Sequence, residues 1–229
     1  ELPTLTQDPA EGSAGMAALL QAGLLDGFQG VKVLGVGTTD IGRLHHGGDV
    51  DGLADFEGAK VRAAGQVLSA MIEQIGAVPV GMPITSVAES LSKGVIDGTV
   101  ADWFSLEGFR LADVTKTHLD LAMGAPAMYV AMNTAAHDRL PDAAKAAFEQ
   151  HPPSELAGFW GSRLAAKSAG SRDTVEAMND HRIIEPTTEE AAKWNEAAEA
   201  VIADWVAATE NGQAILDSYK QGVEAHRSS

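Results

Sequence analysis

Two rhythms of hydrophobic and polar positions run along this chain. Short β-branched runs alternate with stretches whose apolar residues return every three or four positions. Ala14–Leu25 reads as a helix, with Met16, Leu19, Leu20 and Gly23 near one face and Gly27 beyond its end. Val31–Val36 predicts a strand, and the glycine-rich stretch Gly37–Gly52, with Asp40, Asp49 and Asp51, a loop. Lys60–Ala63 predicts a strand and Gln66–Ile75 a helix stopped by Gly76. Val78–Met82 then reads as a strand, Ser86–Ser92 as a helix stopped by Gly94, and Val95–Val100 as extended. Strand, helix, strand, helix, strand in about 40 residues is the pattern of a mostly parallel α/β sheet.

From Gly124 the order changes. Ala127–Met132 is apolar enough for a buried strand, and Pro141 opens a helix where its missing N–H costs little. Ser154 to about Asn179 reads as one helix, weakened by Gly158, Gly161 and Gly170. At a rise of roughly 1.5 Å per residue it would span about 35–40 Å, which suits a helix bridging two lobes. Arg182–Ile184 is a short strand. Thr187 and Thr188 with Glu189 and Glu190 form a capped helix start, and Trp194, Ala198, Val201, Ile202 and Trp205 share one face of the helix that follows. Gln213–Glu224 is a last helix. The pattern as a whole predicts an α/β protein with a discontinuous two-lobe plan.

Composition narrows the function. Of 229 residues, 45% are hydrophobic, enough for a real core. With 16 Lys+Arg against 32 Asp+Glu the formal net charge is −16, so phosphate backbones and anionic lipid surfaces are poor partners. No apolar run reaches the roughly 18 residues of a membrane span, which argues against direct insertion. Without cysteine there are no disulfides, no thiol catalysis and none of the common structural zinc sites.

Among local motifs, Gly35-Val-Gly-Thr-Thr-Asp40-Ile-Gly42 follows a strand but has Asp40 where a dinucleotide fingerprint needs glycine; a hinge or loop is the commoner reading. His45-His46-Gly-Gly-Asp49 holds metal-capable groups, yet adjacent strand residues point to opposite faces and no second cluster has ligand spacing. No nucleophile elbow, His-Glu-x-x-His or phosphate loop is present. Arg62 stands apart: it ends a strand before a helix, where ligands bind in open α/β sheets, and its planar fork fits a carboxylate. The equal alternative is a surface arginine paired with an acid. Asp102-Trp103-Phe104 follows the Asp97-Gly98 run at the same sheet edge, where Trp103 either walls a pocket or packs in the core.

An ordered set of segments sharpens these options. Leu53-Ala-Asp-Phe-Glu-Gly-Ala-Lys-Val-Arg62, Gly76-Ala-Val-Pro-Val-Gly-Met-Pro83, Val87-Ala-Glu-Ser-Leu-Ser-Lys-Gly-Val-Ile-Asp-Gly98, Ala131-Met-Asn133 and Leu140-Pro141 resemble, in order and spacing, the solute-binding proteins of TRAP transporters (the DctP type). The resemblance implies a two-lobed, periplasmic-binding-protein-like fold with mixed sheets and a long lobe-spanning helix. It also implies a first lobe left incomplete here, because the family has further strands and helices ahead of Glu1. The expected division is 1–39 plus 126–166 for lobe one and 40–125 plus 167–229 for lobe two.

By the same resemblance the protein is a periplasmic receptor that closes on a small organic anion and delivers it to the membrane permease subunits of a TRAP transporter. No cofactor, metal, catalysis or nucleic acid is implied. Arg62 matches the arginine that meets the ligand carboxylate, and Ile84, Ala101, Asp102 and Trp103 match pocket positions. Ala101 and Asp102 depart from the family's asparagine and proline; a carboxylate at 102 repels an anion unless it takes a ligand donor or cation or pairs with Arg62. Arg43 and His45 are further candidates from the segment before the second lobe. The alternatives are a sensory or scavenging receptor of the same fold and a cleft enzyme using His45, Asp49 or Asp102.

Overall fold

The computed structural model describes residues 1–228. Among the described residues eight strands form two sheets. The smaller pairs β1 (Val31–Thr38) with β7 (Ala127–Asn133), antiparallel. The larger has six strands in the order β4 (Val78–Gly81), β3 (Lys60–Ala63), β5 (Gly98–Ala101), β2 (Arg43–His46), β6 (Thr117–Leu119) and β8 (Arg182–Ile184). β3 runs parallel to β4 and β5, whereas β2 runs antiparallel to β5 and β6, so the sheet is mixed.

Period-two alternation divides the larger sheet's side chains between two cores. Leu44, Val61, Val100 and Leu119 face Leu68, Met71 and Ile72 of α2 (Gln66–Gln74), together with Trp194, Ala198 and Val201 of α8 (Thr188–Ala208). On the opposite face Val80 and Ile183 border a core of Val87, Ile96, Ala101, Trp103, Leu106, Leu111 and Val175. This core is covered by α3 (Val87–Ser92), α4 (Trp103–Gly108) and the end of α7 (Pro153–Glu176). One registered row runs across this face: Val80, Arg62, Thr99, His45, His118 and Ile183.

α7 has 24 residues, or about 36 Å at 1.5 Å each. Its first half lies on α1 (Pro9–Gln21) and β1, where Gly35 and Gly161 allow close approach to Leu156 and to the Pro9–Ala10 backbone. Its second half reaches α4: Ser171 Oγ donates to Glu107 at 2.6 Å. The helix therefore spans both sheets. α1 also packs on α9 (Gly212–Arg227), with Gly15 against the Tyr219 ring. Two strand-to-strand crossovers join the halves side by side: Thr39 N–H donates to Pro126 O, Gly42 N–H to Gly124 O and Met123 N–H to Gly42 O. The short helices α5 (Thr134–Asp138) and α6 (Asp142–Gln150) follow β7.

Several boundaries moved. α1 starts at Pro9, not Ala14, because the Asp8 carboxylate caps it by accepting from the N–H groups of Ala10 and Glu11. The stretch Gly37–Gly52 is not all loop: β2 lies inside it, a central strand whose His45 is buried through hydrogen bonds rather than apolar character. The extended run at Val95–Val100 becomes a strand only from Gly98, and β6 carried no apolar alternation to announce it. The capping box at Thr187 and Glu190 forms as the residues suggested.

Candidate functional site

Arg62 ends β3 under two loops. Its Nε donates to Met82 O and its Nη1 to Val100 O, both at 3.1 Å, so the guanidinium ties the turn after β4 to the end of β5. The residue is 7% exposed, and among the described residues no carboxylate lies within ion-pair distance of it. Burial pulls its pKa below the ordinary arginine value, opposed by the charge of Glu1. A buried cation whose hydrogen bonds all go to carbonyls, with Glu1 acting only from beyond ion-pair distance, is incompletely offset for its desolvation.

The neighbouring candidates follow closely in sequence on the two carbonyls that Arg62 holds. Ile84, half-buried, opens the 3-10 turn Ile84–Ser86 just after Met82. Asp102 follows β5 and caps α4, with Oδ1 accepting from Ser105 N–H at 2.6 Å and Oδ2 from Ser105 Oγ–H at 3.1 Å. Desolvation raises its pKa, and the charge of Asp40 adds to the rise. Asp40, on the first crossover, accepts from Ser168 Oγ–H of α7 and is likewise raised by burial. Trp103 is 3% exposed: its ring packs edge-on to His45 and His118 at centroid distances of 5.3 and 5.6 Å, with the Arg172 guanidinium over it at 5.8 Å.

Two candidates are otherwise engaged. Arg43 pairs with Asp120 and donates to the carbonyls of Ile41 and Gly42. His45 is fully buried, with Nε2 3.0 Å from Ala101 O and Nδ1 2.8 Å from His118 Nδ1. Burial lowers its pKa to about 4. Asp49 is exposed on the loop after β2, and His46 accepts from Gly48 N–H against Phe56. Among the described residues no group of three His, Asp or Glu is arranged to hold a metal ion, and no helix is long and apolar enough to cross a membrane. Sequence reasoning missed His118, His181, Ser168 and Asp120, and read Asp40 only as part of a glycine-rich loop. Each lies far along the chain from its partner, and no local motif marks it.

Two sheets joined by paired crossovers and spanned by one long helix, with a buried cation held by carbonyls at the strand ends of the larger sheet, form a mixed α/β architecture with ligand-site character at one sheet edge. The chain belongs to the bacterial extracellular solute-binding protein family 7 (DctP), whose model matches residues 7–209. Its fold is similar to that of a marine-metagenome TRAP solute-binding protein specific for aromatic acid ligands, solved with metahydroxyphenylacetate. The two superpose at a TM-score of 0.91 with 26% identity, covering 99% of this chain and 74% of the other. A TRAP solute-binding protein from Rhodoferax ferrireducens with copurified benzoate gives 0.91 and 24%, over 100% and 74%. One from Bordetella bronchiseptica with bound mandelate gives 0.86 and 22%, over 98% and 74%.

Proposed function

We propose that this protein is a periplasmic receptor that captures a small organic carboxylate against Arg62, between the lobes, and passes it to a TRAP permease. The observation that carries this reading is a buried guanidinium hydrogen-bonded to backbone carbonyls, with no carboxylate within ion-pair distance of it among the described residues, in a chain of net charge −16. A ligand carboxylate would supply the missing anion through charge-assisted bonds of roughly 1.5–3 kcal/mol each. Ile84 and the β5 end, with Asp102, border the ligand, and Asp102 suits a hydroxyl or N–H on it. Trp103 acts from beneath by holding β5 and α4 in place. Arg43 belongs to the crossover and not to the ligand.

The aromatic-acid specificity of the 26%-identical relative makes aryl carboxylates the first class to try. Lobe one is taken as 1–39 with 126–166 and lobe two as 40–125 with 167–229; closure turns on the paired crossovers near Gly42 and Gly124, the latter at φ +105°. A thermal-shift screen of benzoate, hydroxybenzoates, mandelate and aliphatic acids tests the reading, since a ligand at a hundredfold excess over its Kd adds about 2.7 kcal/mol of stability. Hits that persist undiminished in Arg62→Ala would reject the assigned anchor.

A further inference from the structure

His45, His118 and His181 stand in single file. His45 Nδ1 is 2.8 Å from His118 Nδ1, and His118 Nε2 is 2.8 Å from His181 Nδ1, with the last two rings stacked. The inner end is fixed by Ala101 O, 3.0 Å from His45 Nε2. A carbonyl only accepts, so His45 Nε2 carries the hydrogen and, in the neutral ring, Nδ1 is a lone pair. His118 must then present Nδ1–H to it and keep a lone pair on Nε2, which His181 meets with its own Nδ1–H. The neutral chain of rings has one free lone pair, on His181 Nε2. That ring, 5% exposed, lines a surface cavity of about 490 Å³ together with Asp113, Lys116 and Asp180.

One added proton can rest on any of the three rings while each N···N contact still holds one hydrogen. A second would set two N–H groups against each other. We propose that these histidines are a one-proton relay tied to the anion site, so that capture of a carboxylate at Arg62 draws a proton into the relay through His181. The proposal rests on Arg62 being the anion anchor. Arg62 and His45 share the registered row with only Thr99 between them, and they grip adjacent β5 carbonyls, Val100 and Ala101. Two strand spacings separate them by about 10 Å.

At that distance and an effective dielectric near 20, one unit charge changes the proton affinity of a buried ring by about tenfold. Burial above all keeps the inner rings neutral, with the Arg43 charge adding to the lowering at His45 and the neighbouring rings to that at His118: His45 lies at about 4 and His118 at about 2. A bound carboxylate sets a negative charge against Arg62, two strand spacings away, and so favours the proton. Of the other charged groups around the relay, Asp113 pairs with Arg110, while Lys116 and Asp180 line the cavity at the outer ring. Arg43 and Asp120 act on His45 with opposite sign and pair with each other. Arg172 lies over Trp103 and bonds Asp120, Asp102 is held by Ser105, and Asp180 is 3.9 Å from His181 Nε2. His46 turns to Phe56 on the other face. By reciprocity, carboxylate affinity rises as pH falls through the range where the relay takes its proton.

Calorimetric titration of the protein with benzoate at about pH 5, one unit above the value of His45, in buffers of different ionisation enthalpy, counts the protons exchanged. The expected result is uptake of a fraction of a proton per benzoate. In His181→Asn, whose amide still offers an N–H to His118 but has no titrating nitrogen, benzoate should bind without uptake. Arg62-dependent binding with no uptake, or with uptake unchanged in His181→Asn, overturns the relay alone. Absence of Arg62-dependent benzoate binding overturns the anchor and the relay with it. Nitrogen-15 spectra of the unmutated protein give a check that needs no variant. His118 and His181 should be Nδ1–H tautomers, and His118 found as the Nε2–H form would overturn the proposal.

Discussion

Two arginines sit at strand ends of the same sheet in opposite circumstances. Arg43, at the start of β2, meets Asp120, which also accepts from Arg172 of the long helix, and these groups brace the crossover against β6. Arg62, at the end of β3, is more deeply buried and gives its hydrogen bonds to the carbonyls of Met82 and Val100, with no carboxylate within ion-pair distance among the described residues. Both are cations short of water in a chain with excess acid. A guanidinium given a carboxylate by the fold is a strut. One buried without any is half of an ion pair, and the cost of its desolvation is recovered only when something from outside completes it.

The comparison can be strained by acid, which acts on His45, on the strand of Arg43, and on His118 of the next strand. His45 and His118 titrate at about 4 and about 2 in the fold, below the ordinary 6.5. The unfolded chain therefore binds more protons in this window, and stability present above pH 6.5 is lost as pH falls. At about pH 5 each ring should account for a loss of about 2 kcal/mol, visible as a lower denaturant midpoint than at neutral pH. A midpoint insensitive to pH in this range would mean the rings are not buried neutral.

Next in size, Arg62→Ala should weaken carboxylate binding about 100-fold in a calorimetric titration while leaving the thermal midpoint unchanged or higher, because an uncompensated buried charge goes with it. Arg43→Ala should do the reverse: unfolding free energy falls by about 1–3 kcal/mol, since Asp120 loses its best partner at side-chain exposures of 16% and 15%, and affinity changes little. If Arg43→Ala abolished binding with the fold intact, the two roles would have to be exchanged. The smallest effect belongs to Lys193→Ala, which breaks the exposed Glu189 pair on α8 and should leave the melting temperature unmoved within error.

Much of the fold was legible. The helix from Pro153 to Glu176 is nearly the one its pattern proposed, and the capping box at Thr187 marked the start of α8. Arg62 stood out because it ends a strand of alternating character. Trp103 was the ambiguous case: position alone allowed a pocket wall or a core residue, and the helices α4 and α7 closed over it. β2 escaped notice because a period-two reading counts apolar side chains, and this strand buries a histidine on one of its faces.

The sequence by itself determined the order of elements, their caps and breaks, the acidic character and the arginine at the β3 terminus, because each is written within one helical turn or one strand repeat. Only the tertiary structure decided which charges are paired. Ser168 meets Asp40 across 128 positions and His118 meets His45 across 73. Strand pairing and helix packing make those meetings, and no local period records them. Whether a buried arginine is a strut or a socket depends on which acids the chain brings to it, and that becomes known only when distant segments come together.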